Sequence, residues 1–127
     1  MNISNHFNTL TDPRDVSKIK HLLTDIIGLS LIAVIAGCES YDDIEEFGKE
    51  KEIWLRKYLQ LPNGIPSHDT IERLFEALDP IEFNACFSSW VTAIFNYRDE
   101  VFLHIDGKSN MIYLNIHFHY LTTLPFA

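Results

Sequence analysis

Residues Leu61–Phe75, LPNGIPSHDTIERLF, decide how the chain folds. The first six positions hold two prolines and an Asn-Gly pair, which favour a tight turn because Pro fixes φ and Asn-Gly tolerates positive φ. Ser67 follows where a helix N-cap belongs, since its hydroxyl can accept a hydrogen bond from a first-turn amide. Apolar residues then recur at helical spacing, at Ile71, Leu74, Phe75 and Leu78. We name this stretch the hub, a turn that feeds an amphipathic helix onto which the neighbouring helices pack.

The composition limits the classes of function. The 127 residues are 46% hydrophobic, which suffices for one domain with a real core. The formal net charge of −8 argues against a broad phosphate-binding surface. Cys38 and Cys86 lack metal-site spacing, which indicates reduced thiols in a cytoplasmic protein. The N-terminus has no basic signal region, and the apolar run Leu22–Ala36, which contains Asp25, is too short to span a membrane.

Helix-capping residues and apolar residues at helical spacing predict a mainly α fold, a compact bundle of four to five helices over residues 1–98. We expect residues 1–16 to be extended and weakly ordered. Residues 22–36 predict a central helix, apolar on all sides and ending at Gly37. Asp79-Pro80-Ile81-Glu82 predicts a last helix that begins with a capping box. We expect Gly48 to kink the helix that Ser40 begins. Its predicted core-facing stripe is Ile44, Phe47, Trp54, Leu55 and Tyr58.

The hub turn resembles the centre of a helix-turn-helix, with Lys51–Gln60 as the first helix and Ser67–Leu78 as the recognition helix. On the second helix Arg73 is the side chain suited to phosphate or guanine, and its polar neighbours are mostly acidic. Lys18 and Lys20 form another small basic cluster, which a solvated helix start also explains. Arg73, Lys18 and Lys20 are therefore the candidate DNA-binding residues.

Asp106 is the residue with the clearest catalytic potential. It follows the predicted strand Val101–Ile105, VFLHI, and precedes Gly107. An Asp-Gly pair after a strand favours a type I′ hairpin turn. A second interpretation is a metal-binding carboxylate of a two-metal phosphoryl-transfer site, which needs several converging carboxylates. The residues alone leave both interpretations open. His117 and His119 would share a strand face near Asp106, although two ordinary histidines explain that pattern more simply.

From Leu10 to Lys108 the chain resembles the N-terminal region of H-repeat-associated insertion-sequence transposases. The resemblance rests on DPR at residues 12–14, DDIEEFG at 42–48, LPNGIPSHDT at 61–70 and IDGK at 105–108. These transposases are DDE-class enzymes, so the resemblance implies a ribonuclease-H-like catalytic domain that begins with the strand near residue 101. It also implies that Asp106 is the first catalytic acid and a ligand of divalent Mg²⁺ or Mn²⁺. The DNA partner it implies is the transposon end.

The resemblance stops at Lys108. Residues 109–127 contain no Asp, Glu, Lys or Arg, whereas all 28 such residues lie in the first 108. This change in composition, together with the resemblance, predicts three parts. They are a transposase-associated helical domain at 1–98, the first strand of a truncated catalytic domain at 99–108, and a divergent, frameshifted tail at 109–127. The second Asp and the Glu of the triad would then be missing. We therefore expect this chain alone to be catalytically inactive and to bind no metal.

Two functions from different classes follow. The leading one is the N-terminal fragment of a DDE-type transposase, whose family role is DNA transposition by transposon-end binding and metal-dependent strand transfer. The alternative is a non-enzymatic interaction module that binds or inhibits an intact transposase, or that self-associates. The missing carboxylates disfavour an independent metal-dependent nuclease. We expect no membrane partner and a cytoplasmic location.

Overall fold

The computed structural model describes residues 3–98. These residues form six α-helices: α1 Ile3–Phe7, α2 Leu23–Ile35, α3 Tyr41–Glu50, α4 Glu52–Leu55, α5 His68–Ala77 and α6 Pro80–Arg98. A single 3-10 turn at Val16–Lys18 separates α1 from α2. No strand occurs between residues 3 and 98, so the predicted mainly α fold is confirmed there, with six helices where four to five were predicted. The predicted strand Val101–Ile105 and the residues that follow it lie outside the described part of the chain.

Helix α2 is the centre of the bundle. It contacts α1 and α3, while α3 also contacts α5 and α1 also contacts α6. Ile26, Ile27 and Leu29 of α2 are fully buried, as expected for a helix that is apolar on all sides. The helix ends just before Gly37, so the predicted central helix is confirmed. None of the helices within residues 3–98 has both the length and the apolarity that crossing a bilayer requires.

The hub forms as predicted, and its helix closes the core. The Ser67 hydroxyl accepts a hydrogen bond from the backbone amide of Thr70 at 3.2 Å, which caps α5. The four apolar residues at helical spacing are all buried: Ile71, Leu74, Phe75 and Leu78. The ring of Phe75 meets Phe83 of α6 edge-on, with centroids 5.8 Å apart. Phe7 packs on the same Phe83 ring, also at 5.8 Å, so three helices share one aromatic cluster.

The prediction of an extended lead-in over residues 1–16 was wrong at its start. Helix α1 occupies Ile3–Phe7, because burying Phe7 completely against α6 outweighs the weak local helix signals. The lead-in is also tied to α6, because the Thr11 amide donates to the Glu82 carboxylate at 2.9 Å. Asp79 caps α6 as predicted, accepting from the Ile81 amide at 2.9 Å. Within residues 3–98, Glu82 bonds to Thr11 instead of completing the capping box.

The helix after Ser40 breaks at Lys51, not at Gly48 as predicted. Lys51 has φ −109° and ψ 17°, which ends α3, and α4 covers only Glu52–Leu55. The helical period therefore does not continue, and the predicted stripe is wrong for Trp54 and Tyr58, which are 42% and 63% exposed. Gly48 serves a different purpose. A Cβ atom there would lie 2.7 Å from Cγ2 of Ile65, so glycine allows the hub turn to approach α3 closely.

Candidate nucleic-acid interface

A buried carboxylate on α2 holds the hub turn in place. Asp25 is only 3% exposed. Its carboxylate accepts hydrogen bonds from the backbone amides of Gln60 at 3.0 Å and Leu61 at 2.7 Å. Asp25 lies in the first turn of α2, where the helix dipole favours a negative charge. Two amides that α4 does not use are thereby satisfied by a charged acceptor, and we name this arrangement the Asp25 clamp.

The clamp fixes an unusual backbone. Leu61 has φ +48°, a left-handed conformation that costs a residue with a Cβ about 1–2 kcal/mol. Its side chain is 1% exposed, so burial offsets that cost. The turn closes with the Gly64 amide donating to the Leu61 carbonyl at 3.1 Å, and Gly64 takes φ +79°. Asn63 Nδ2 donates to the Lys20 carbonyl at 2.7 Å, which brings the segment before α2 against the hub.

The three predicted DNA-binding residues lie at the surface. Lys18 ends the 3-10 turn and Lys20 lies beside the hub turn through its bond to Asn63, and both residues are exposed. Arg73 is exposed on α5. The Asn63–Lys20 bond therefore places Lys20 beside the hub turn, while Arg73 lies on the hub helix α5.

The surroundings of Arg73 are unfavourable for a recognition helix. Asp69, Glu72 and Glu76 lie on the same helix, so three acids accompany one base. Such a surface repels phosphates. The helix before the hub turn is also short, because α4 has four residues where the prediction had ten. The described residues thus keep the turn of a helix-turn-helix without a full first helix.

The start of α5 is pinned to α3 by an ion cluster. His68 donates its backbone amide to Glu45 Oε1 at 2.7 Å, and His68 Nδ1 lies 2.8 Å from the same oxygen. Lys49 Nζ lies 2.6 Å from Glu45 Oε2. These contacts, led by the hydrogen bond to Lys49, lower the pKa of Glu45 to about 2. The hydrogen bond with Glu45 is the main cause of a raised pKa for His68, to which Asp42 and Asp69 also contribute.

Arg14 of the DPR lead-in has a structural role. Its Nε and Nη2 atoms donate to the two Asp12 carboxylate oxygens at 2.8 and 2.7 Å. Nη1 donates to the His21 carbonyl at 2.7 Å, just before α2 begins. The side-chain hydrogen bond with Arg14 lowers the pKa of Asp12. Arg14 therefore orients the approach to α2, and its guanidinium is already occupied by the protein.

A groove that the sequence did not predict opens between α1, α2, α6 and the stretch after α4. Its volume is about 550 Å³. The rings of Trp54 and Tyr58 stand 5.1 Å apart on its rim. The helix break at Lys51 turns both rings outward. A change in the register of the apolar stripe is the sequence signal that could have revealed this groove. We name it the Trp54 groove. Its lining residues are Ile3, Ser4, Thr24, Asp25, Ile32, Ile35, Trp54, Lys57, Tyr58, Leu59, Gln60 and Trp90.

The predicted catalytic and metal-binding residue, Asp106, lies outside the described residues. Within residues 3–98 no group of three or more His, Cys, Asp or Glu side chains is arranged to hold a metal ion. Asp25 and Glu45 instead bond to backbone amides or to a basic side chain. These described residues do not fit a two-metal centre.

Comparison with known proteins gives a consistent picture. The sequence model of the family described as DDE_Tnp_1-associated matches residues 4–91, nearly the whole described bundle. The chain is 38% identical over 104 residues to the "H repeat-associated putative transposase YhhI" of Escherichia coli K12, covering 82% of this chain and 28% of YhhI. It is 38% identical over 103 residues to the "H repeat-associated putative transposase YbfD" of the same strain, covering 81% of this chain and 41% of YbfD.

A shorter relative matches over most of its own length. The "Inactive transposase YbfQ" of E. coli K12 is 44% identical over 69 residues, which cover 54% of this chain and 82% of YbfQ. The chain therefore spans most of YbfQ but only about 28% of the length of YhhI. No solved structure matches the chain.

Proposed function

The chain belongs to the DDE_Tnp_1-associated family, and from this premise we propose that it acts in DNA transposition as the N-terminal helical region of an insertion-sequence transposase. The observation that carries the proposal is the family match over residues 4–91, which coincides with the bundle. Two relatives named as transposases support it by aligning over 82% and 81% of the chain. We place the chain in the cytoplasm, where it would meet chromosomal DNA.

In the proposed role the bundle contacts the transposon end beside the hub. Lys18 and Lys20 are exposed there, and the bond from Asn63 to the Lys20 carbonyl fixes their segment against the hub. Arg73 is a third contact to phosphate or guanine. The net charge of −8 restricts binding to such a local patch, because each phosphate contact needs a cation near the DNA.

A salt series tests this role. The full chain is titrated against duplex DNA from the ends of its own element, and fluorescence anisotropy gives the affinity at several salt concentrations. Replacing Lys18, Lys20 or Arg73 with glutamine should each reduce the slope of log affinity against log salt by about one. Lys51→Gln, at another exposed lysine, is the matched control and should leave the slope unchanged. Equal slopes in all four variants would contradict the proposed contact surface.

For catalysis we propose that Asp106 is the first acid of the family triad and, in a complete transposase, a ligand of Mg²⁺ or Mn²⁺. Residues 107–127 contribute no Asp or Glu. A single carboxylate does not hold two divalent cations against water, so this polypeptide alone should have no strand-transfer activity. The measurement is a strand-transfer assay with either metal, with Asp106→Asn as the comparison. Metal-dependent cleavage that Asp106→Asn abolishes would contradict the proposed inactivity.

The second candidate is a non-enzymatic interaction module that binds an intact transposase. The acidic face of α5 favours it, because Asp69, Glu72 and Glu76 there oppose DNA binding. The test is co-purification of the chain with full-length YhhI-like transposase after nuclease treatment. Binding that survives the nuclease, together with no measurable affinity for end DNA, would replace the DNA-binding role with this one.

A further inference from the structure

Two aromatic rings and a cation form one exposed row along the Trp54 groove. Trp54, Lys57 and Tyr58 stand at helical spacing, three and four residues apart. The turn continues beyond α4, because the Lys57 amide donates to the Trp54 carbonyl at 3.1 Å and the Tyr58 amide to the Leu55 carbonyl at 2.9 Å. All three side chains line the groove and all three residues are exposed. Proteins that bind single-stranded nucleic acid combine aromatic side chains with cations in this way.

The two rings are arranged for a flat ligand. The ring centroids of Trp54 and Tyr58 are 5.1 Å apart and the ring planes are inclined at 59°. A flat heterocycle that stacks on one ring therefore meets the other nearer to edge-on than to parallel, and both arrangements are favourable for aromatic groups. The segment that carries the rings is held in place, because Leu55 is fully buried and the Asp25 clamp binds the Gln60 amide.

The charge around the groove differs from that of the acidic chain. Apart from Asp25, the lining residues come from stretches that contain no Asp or Glu, namely residues 1–11, 16–24, 26–38, 53–68 and 83–97. These stretches hold none of the 18 acids but four of the ten bases, Lys18, Lys20, Arg56 and Lys57. The carboxylate of Asp25 already accepts two backbone amides. The lining therefore offers a cation, Lys57, to a phosphate and no free anion that would repel it.

Neutral polar side chains complete the lining. Ser4, Thr24 and Gln60 supply hydroxyl and amide groups that both donate and accept hydrogen bonds, as the edges of a nucleobase do. The volume of about 550 Å³ lies within the range of roughly 300–1,000 Å³ that is usual for ligand sites. An apolar side chain docked here would cover these polar groups without satisfying them. A nucleotide can use the rings, the polar groups and the cation at once.

We propose that the Trp54 groove binds an unpaired base of single-stranded DNA. The base stacks on Trp54 or Tyr58, and the neighbouring phosphate lies beside Lys57. These residues differ from the duplex contacts proposed at Lys18, Lys20 and Arg73. In a transposase the site would hold a strand that has left the duplex at the transposon end, and only this last step rests on the proposed function.

A short single strand tests the site in the full chain. A fluorescein-labelled oligothymidylate of about ten nucleotides, within the usual range of site sizes, is titrated with protein at low salt, and anisotropy gives the affinity. Trp54→Ala and Tyr58→Ala should each weaken binding roughly 5- to 150-fold, the loss expected for one base–aromatic stack. Trp54→Phe keeps a ring and should restore most of the affinity. The matched control is Ile53→Ala, at an exposed apolar residue of α4 that does not line the groove.

Two further measurements locate the strand. Lys57→Gln should reduce the slope of log affinity against log salt by about 0.7, whereas Lys51→Gln should leave that slope unchanged. Binding should also quench the intrinsic fluorescence of the unaltered chain. Both tryptophans of the protein, Trp54 and Trp90, line the groove, so this quenching reports on the proposed site.

The proposal is overturned if Trp54→Ala, with unchanged helix content by circular dichroism, binds the strand as tightly as the unaltered chain. Tighter binding of an oligouridylate of the same length would assign the groove to RNA instead. Co-purification with full-length transposase that Trp54→Ala abolishes, without strand binding by the unaltered chain, would make a protein the occupant. The duplex test with the Lys18, Lys20 and Arg73 variants uses other residues and another probe, so either proposal can fail while the other stands.

Discussion

Replacing Asp25 with asparagine removes the charge from the Asp25 clamp while preserving the shape of the side chain. The carboxylate now accepts from the Gln60 and Leu61 amides at 3.0 and 2.7 Å. An asparagine side chain has one oxygen, so it can accept from one amide and must turn its own NH₂ group toward the other. One charge-assisted hydrogen bond is lost outright, and the second loses the contribution of the charge.

The structure sets the size of the effect. Hydrogen bonds to charged groups contribute roughly 1.5–3 kcal/mol each, and a buried amide without an acceptor costs roughly 1–3 kcal/mol. Because Asp25 is 3% exposed and Leu61 only 1%, water cannot replace the acceptor that the Leu61 amide would lose. We expect Asp25→Asn to lower the free energy of unfolding by about 2–4 kcal/mol. For a bundle of this size that corresponds to a fall in Tm of roughly 10–20 °C.

Urea denaturation followed by circular dichroism measures the loss. Hydrogen exchange of the Gln60 and Leu61 amides supplies a local measurement, since both amides should exchange faster in the variant. Glu76→Gln, at an exposed residue of α5, is the matched acid-to-amide control and should change stability by less than about 0.5 kcal/mol. If Asp25→Asn were as mild as this control, the clamp would not be what holds the hub turn.

Three further perturbations test the packing around the hub. Gly48→Ala should destabilise the bundle by about 1–3 kcal/mol in urea denaturation. The added Cβ would lie 2.7 Å from Ile65 Cγ2, and that overlap outweighs the gain in helix propensity. A stabilised variant would show that the Ile65 side chain moves aside freely. Glu45 has a pKa lowered to about 2, so its contribution to stability is complete above its ordinary value of 4.5 and is lost as the pH falls through 2. Glu45→Gln should therefore flatten the acid limb of the stability–pH curve between those values, and an unchanged acid limb would refute the stabilising contacts of Glu45 with Lys49 and His68. Ser67→Ala should cost about 1 kcal/mol by removing the N-cap of α5, whereas Ser67→Gly should cost only a few tenths; equal losses would argue against the capping bond.

The parts of the fold that the sequence predicted depend on short-range chemistry. Proline, Asn-Gly and Ser67 specify the hub turn and the start of α5 within a few residues, and both are confirmed. The all-round apolar character of residues 22–36 likewise predicts the central helix without reference to its neighbours. Each of these elements is decided by its own residues.

The parts that the sequence did not predict depend on contacts between distant residues. The Asp25 clamp joins Asp25 to Gln60 and Leu61, which are 35 and 36 residues away along the chain, and no local pattern around Asp25 indicates these partners. Helix α1 depends on a Phe7–Phe83 contact in the same way. A core stripe that includes Trp54 and Tyr58 requires one helical period to continue across Lys51, where the backbone leaves the helix. Local patterns cannot indicate which distant partner will override them.

The charge distribution limits how tightly the bundle alone can hold DNA. Three candidate cations, Lys18, Lys20 and Arg73, would neutralise at most three phosphates, which gives a log–log salt slope of about −2.7. Raising the salt from about 50 to 200 mM would then weaken binding only roughly fortyfold, far less than for proteins that make six to ten phosphate contacts. The remaining acids of α5 oppose even this attraction. In the proposed role, a bundle with so few phosphate contacts would position DNA, and other regions of an intact transposase would supply most of the affinity.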